Sequence, residues 1–84
     1  MVTVEFYTRE GCCLCDTALD VVKRVQKDHP FLLRLIDIDT DPALVARFND
    51  EVPVIFIAGR KAFKYRVDEA EMVSKLERSV RGIL

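Results

Sequence analysis

The 84-residue chain reads as a single domain, 1–84. A domain of this size buries only about 60% of the surface its unfolded chain exposes, so its core is modest. Half of the residues are hydrophobic and 32% are charged, the balance of a globular domain rather than of a disordered or membrane-embedded chain. Thirteen basic side chains against fourteen acidic ones leave a formal net charge of -1, which gives no electrostatic ground for nucleic acid or an anionic membrane as partner.

In chain order, Val2, Val4 and Phe6 alternate with Thr3, Glu5 and Tyr7, which predicts a strand with one apolar face over Val2–Thr8. Arg9-Glu10-Gly11 breaks the alternation. Apolar residues then return at helical spacing, at Leu14, Ala18, Val22 and Val25, and this helix ends at Asp28-His29-Pro30, because proline disfavours helical backbone in the residue before it. Phe31 to Ile38 reads as a buried strand. Asp41-Pro42 resembles an N-cap followed by a first-turn proline, opening a short helix to about Phe48. Val54–Ala58 and Ala62–Tyr65 flank Gly59-Arg60, a glycine-first two-residue turn that suits a hairpin. Asp68 with Glu71 resembles a capping box, and Met72/Val73, Leu76, Val80 and Ile83/Leu84 predict a final amphipathic helix.

The order is therefore β-α-β-α-β-β-α. A parallel crossover should join the first two strands and a hairpin the last two, giving an α/β fold with a single mixed sheet and helices on both faces.

The start, Met1-Val2-Thr3-Val4-Glu5, lacks the basic and apolar segments of a secretory signal, and no apolar run reaches membrane-spanning length. Three cysteines crowded into four positions cannot staple distant segments together as the bridges of small secreted domains do. A reducing, cytoplasmic setting and a monomer are the expectations.

Cys12-Cys13-Leu14-Cys15 contains a C-x-x-C pair where strand becomes helix. On a first helical turn Cys12 and Cys15 share a face, with Cβ atoms about 5–6 Å apart, a separation that small adjustments can bridge. Unpaired backbone N–H groups and the helix dipole favour an anion there, and the thiolate is the reactive form. Cys12 is expected to attack a substrate disulfide and Cys15 to resolve the mixed disulfide. Cys13 is a spacer, a competing disulfide partner or a third metal ligand.

Val4 to Cys15, read as Val-Glu-Phe-Tyr-Thr-Arg-Glu-Gly-Cys-Cys-Leu-Cys, with Val52-Pro53 downstream, resembles a short glutaredoxin-like protein of the thioredoxin superfamily. The motif in such proteins often reads Cys-His-Leu-Cys-Asp; here Cys12-Cys13-Leu14-Cys15-Asp16 departs at Cys13. The resemblance implies the thioredoxin-like fold and thiol–disulfide exchange on a protein disulfide or a glutathione mixed disulfide. It also implies a cis Val52–Pro53 peptide beside the cysteines, with the Val52 backbone free to pair with substrate; the alternative is a trans proline that merely starts a strand. Arg9 matches a basic position that contacts a glutathione carboxylate in glutaredoxins, or else it is a solubilising charge. No bound cofactor or metal is expected, with glutathione a candidate co-substrate. Lys64-Tyr65-Arg66-Val67-Asp68 lacks the Gly-Gly segment that approaches glutathione in that family, although Arg66 could supply an anion contact. Phe6 replaces the buried acid of thioredoxins. The rival classes are a metal or iron–sulfur binding module, a non-catalytic binding domain of the same fold, and a nucleic-acid contact through Lys61 and Lys64, which the acidic residues counterbalance.

Overall fold

The computed structural model describes residues 1–83, with side chains through Val80. The side chain of Ile83, and all of Leu84, expected to extend the last helix's apolar face, lie outside the described residues. The elements are β1 (Thr3–Thr8), α1 (Cys13–Asp28), β2 (Leu32–Asp37), a 3-10 turn (Ile38–Thr40), α2 (Pro42–Phe48), β3 (Val54–Ile57), β4 (Arg60–Lys64) and α3 (Glu69–Ile83). They form one four-stranded mixed sheet in the order β2-β1-β3-β4. β1 pairs parallel with β2, from Thr3 opposite Leu32 to Thr8 opposite Asp37, and antiparallel with β3. β3 and β4 are antiparallel.

Alternation along β1 divides the protein into two layers. Val4 and Phe6 are fully buried, packing with Cys15, Ala18, Val22 and Val25 of α1, Ile55 and Ile57 of β3, Phe63 of β4, and Met72 and Leu76 of α3. On the opposite face Tyr7 joins Phe48 of α2, Ile38 and Val54 in a smaller cluster. The Tyr7 and Phe48 ring centroids are 4.7 Å apart, and Phe56 meets both rings edge-on, at 5.6 and 6.1 Å. Such tilted and edge-on contacts suit the aromatic quadrupole.

Helix ends follow their local chemistry. The Asp41 carboxylate accepts from the Ala43 N–H at 2.9 Å with Pro42 in the first turn of α2, and the Asp68 carboxylate accepts from the Glu71 N–H at 3.0 Å. At the C-terminal end of α1 the His29 N–H reaches the Val25 carbonyl at 2.9 Å, just before Pro30.

Three expectations are corrected. The segment Phe31–Ile38 is not a buried strand: β2 is an edge strand, with Leu32 and Leu35 more than half exposed, at 56% and 53%. Phe31 and Ile38 at its flanks are buried. Sheet order decides this, because β2 has a ladder partner on one side only, and the short α2 packs with the 3-10 turn instead of covering the strand. The hairpin turn is Ala58-Gly59, not Gly59-Arg60. Both residues have positive φ (52° and 80°) and Ile57 stands opposite Arg60, the geometry of a type I′ turn whose twist matches the strands it joins. Finally, Leu14 is exposed rather than on the apolar face of α1, where Cys15 takes the buried position.

Candidate active site

β1 ends at Thr8, and the chain reaches α1 through Arg9-Glu10-Gly11-Cys12. Gly11 has φ +79°, the left-handed region where a Cβ meets its own backbone; space is not the constraint, since an added Cβ would have nothing within 4 Å. This turn delivers Cys12 in extended backbone (φ -88°, ψ 107°) as the N-cap of α1. Its Sγ accepts from the Cys15 N–H at 3.2 Å, and its carbonyl accepts from the Asp16 N–H at 3.3 Å. A sulfur thus stands where a Ser or Asp oxygen usually caps, receiving one of the helix's unpaired donors.

The three cysteines differ in exposure. Cys12 is half-buried at the rim of the larger core, Cys13 is exposed, and Cys15, one turn deeper, is 3% exposed within that core. Burial pushes the Cys15 thiol up first, followed by its hydrogen bond with Cys12; the Thr8 hydroxyl and the Arg9 backbone N–H act in the opposite direction. A half-buried sulfur at the helix cap therefore has, one turn behind it, a thiol whose deprotonation burial disfavours. Among the described residues no group of three or more His, Cys, Asp or Glu side chains is arranged to hold a metal ion.

The Val52–Pro53 peptide is cis. Pro53 is buried, and Val52 is half-buried against both cores, sharing the rim of the larger one with Cys12. The Pro53 carbonyl accepts from the Tyr65 N–H at 2.9 Å, tying this loop to the segment before α3. Tyr65 itself has φ +68°, so a tyrosine adopts left-handed backbone in the stretch that carries no glycine. Tyr65, Arg66 and Val67 line a groove of about 340 Å³ with Leu14, Thr17 and Val21 of α1.

Arg9 is half-buried, with its guanidinium engaged by neighbouring groups of the protein. Its Nη2 and Nε donate to the two carboxylate oxygens of Asp39 at 2.7 and 3.1 Å, and its Nη1 donates to the Asn49 carbonyl at 3.2 Å and to Asn49 Oδ1 at 2.9 Å. A guanidinium has five N–H donors, and these four bonds leave one for a ligand. The guanidinium holds the Asp39 carboxyl below the usual carboxylate range. Across the Val52 loop, Glu51 is tied to Lys61 at 2.7 Å, which holds its carboxyl low as well.

Thr8, Asp39, Asn49 and Glu51 are contributors that the sequence reading missed. Thr8 carried a signal, being the last β1 residue and four before the first cysteine. Asp39 and Asn49 carried none, since nothing in their spacing links them to an arginine thirty and forty positions away.

Comparison with known proteins identifies the family and the fold. The model of the family described as "Glutaredoxin-like domain (DUF836)" matches residues 3–77. A glutaredoxin-like protein of Dictyostelium discoideum, the YDR286C homolog, is 34% identical over 86 aligned positions, covering 95% of this chain and 80% of its own length. Among solved structures, protein Ne2328 of Nitrosomonas europaea superposes with a TM-score of 0.76 at 30% identity, covering 88% of this chain and 89% of that one. Thioredoxin 1 of Thermosipho africanus shares the fold, with a TM-score of 0.68 at 18% identity and 94% of each chain covered. The chain thus belongs to the glutaredoxin-like (DUF836) family.

Proposed function

We propose that the protein is a thiol–disulfide oxidoreductase in which Cys12 is the nucleophile and Cys15 the resolving thiol. The observation that carries this reading is the pairing of a half-exposed sulfur at the helix cap, 3.2 Å from the Cys15 N–H, with a buried thiol one turn behind it.

The Cys12 thiolate attacks one sulfur of a substrate disulfide, forming a Cys12–substrate disulfide and releasing the other substrate sulfur as a thiolate. The Cys15 thiolate then attacks the Cys12 sulfur, releasing the remaining substrate thiolate and leaving a Cys12–Cys15 disulfide. Two electrons pass to substrate, and an external thiol reductant must return them. The raised Cys15 thiol suits this order. While Cys12 is an anion, its charge and hydrogen bond help Cys15 keep its proton. Once Cys12 is in the mixed disulfide that charge is gone, so Cys15 gives up its proton more readily at the step that needs it.

Val52 and the cis Pro53 are the proposed substrate-holding loop; Val52, like Cys12, packs against the larger core. Protein disulfides are the favoured substrate class over glutathione mixed disulfides, because Tyr65 and Arg66 fill the segment where glutaredoxins carry glycines and because most of Arg9's donors are engaged within the protein. Such chemistry belongs in a reducing compartment; no helix among the described residues is long and apolar enough to cross a membrane. The proposed acting form is a monomer.

The test is reduction of a protein disulfide and of a glutathione mixed disulfide by wild type and by Cys12→Ser, Cys13→Ser and Cys15→Ser variants. The expected pattern is loss of both activities with Cys12→Ser, loss of the protein-disulfide activity with Cys15→Ser, and near wild-type rates with Cys13→Ser. Full activity of Cys12→Ser would sink the proposal.

A further inference from the structure

We infer that Arg9 is a positioning residue for the second step of the exchange, fixing the segment that carries the cysteines against the segment that carries Val52 and Pro53; this rests on the oxidoreductase reading above. Its guanidinium joins three pieces of chain: the turn after β1, the 3-10 turn at Asp39, and the C-terminal cap of α2 at Asn49. Arg9 lies three residues before Cys12, and Asn49 lies three before Val52, so one side chain spans the two arms of the site close to their working ends. Beyond Val52 the arm is held by the sheet, where Val54 stands opposite Tyr7, and by the Tyr65 N–H on the Pro53 carbonyl at 2.9 Å. Its end before Val52 is held by the Glu51–Lys61 pair and, at Asn49, by Arg9, which is the contact that ties that end to the turn carrying the cysteines.

The planar fork is matched to the task. Two donors meet both oxygens of Asp39 while Nη1 reaches Asn49, an arrangement that a lysine ammonium cannot reproduce. Arg9 also bears on Cys15 through its own backbone. Against burial and Cys12, which raise the Cys15 thiol, the Thr8 hydroxyl and the Arg9 backbone N–H act toward the thiolate that resolves the mixed disulfide. Holding the Arg9 side chain between Asp39 and Asn49 holds that amide in place. First attack by Cys12 needs only an accessible sulfur at the helix cap; resolution needs Cys15 and the bound substrate sulfur aligned on either side of Cys12. Loss of the contacts therefore falls on the second step.

The experiment is stopped-flow kinetics on wild type, Arg9→Ala, Asp39→Ala and the double variant, with a protein disulfide and a glutathione mixed disulfide as substrates. Mixed-disulfide formation and its resolution are followed separately by mass spectrometry of quenched samples, over a range of pH. Formation is expected to stay within about twofold of wild type. Resolution is expected to slow by about tenfold or more with both substrates, its pH profile moving to the alkaline side, and the double variant to be no worse than the single ones. Unchanged resolution in a folded Arg9→Ala protein overturns the inference. A defect confined to formation with the glutathione substrate also overturns it, by making Arg9 a contact for that substrate's carboxylate. Should Arg9→Ala fail to fold, Arg9→Lys, whose ammonium cannot meet both Asp39 oxygens and Asn49 at once, carries the same test. A wild type that forms no mixed disulfide defeats the underlying oxidoreductase reading, and the positioning role with it; a working wild type with unaltered variants defeats the positioning role alone.

Discussion

The two faces of the sheet are built differently. Under α1 and α3, side chains from every strand but β2, and from both helices, close into a continuous buried core. Under α2, among the described residues, the buried cluster is Ile38, Phe48 and Val54, and Tyr7 and Phe56 complete an aromatic cluster that is partly open to solvent, with the Arg47 guanidinium 4.8 Å above the Phe48 ring. Cys15 belongs to the thick side, and the chain leading to Val52 and Pro53 leaves the thin one. The candidate site lies along the seam. The proposed resolving thiol is fixed by packing, whereas the proposed substrate-holding arm adds individual polar contacts to the packing of Val52 and Pro53, which makes the two halves separable by mutation.

The largest expected effect tests the thick side. Phe6 is fully buried there, and Phe6→Ala should cost about 3–5 kcal/mol, a large share of what so small a domain has to spare. Phe48→Ala, on the thin side, should fall at the low end, about 3 kcal/mol, because its half-open surroundings can relax into the space. Chemical denaturation checks the order; equal losses would mean the faces contribute alike. Next in size is Gly11→Ala in the turn that delivers Cys12. Left-handed backbone should make it cost about 1–2 kcal/mol although the side chain has room.

Two of these three substitution sites show how far the sequence could be read. Phe6 and Gly11 announce themselves, one by strand alternation and the other by ending it at a helix start, and the order of elements and the placement of the cysteine pair follow from such local signals. β2 did not, because whether an apolar run is central or at an edge depends on strand order, which no residue in Leu32–Asp37 encodes. The hairpin slipped by one position since Ala58 adopts positive φ without being glycine. The Arg9 contacts were invisible for a third reason: an arginine's partners are chosen by folding, and Asp39 is one of several acidic residues in its stretch of chain.

The smallest expected effects are in pH dependence, and they separate the faces again. Burial and the bond to Cys12 raise the Cys15 thiol, so the folded, reduced protein keeps a proton that the unfolded chain gives up. That contribution is complete below the unfolded chain's thiol range and is lost as pH rises through the folded protein's. Asp39 behaves in the opposite sense. Arg9 lowers its carboxyl, so its contribution is complete above the ordinary carboxylate range and is lost as pH falls through the folded value. Denaturation of the reduced protein across pH should therefore show a decline on each side, with Cys15→Ser removing part of the alkaline decline and Asp39→Ala part of the acidic one.

The central claim is the division of labour between Cys12 and Cys15, and trapping tests it most directly. A Cys15→Ser protein mixed with a disulfide substrate should accumulate a mixed disulfide, and peptide mass spectrometry should locate it on Cys12, with Cys13 left as a free thiol. Accumulation on Cys13, or no stable adduct while wild type turns over the same substrate, would contradict the account.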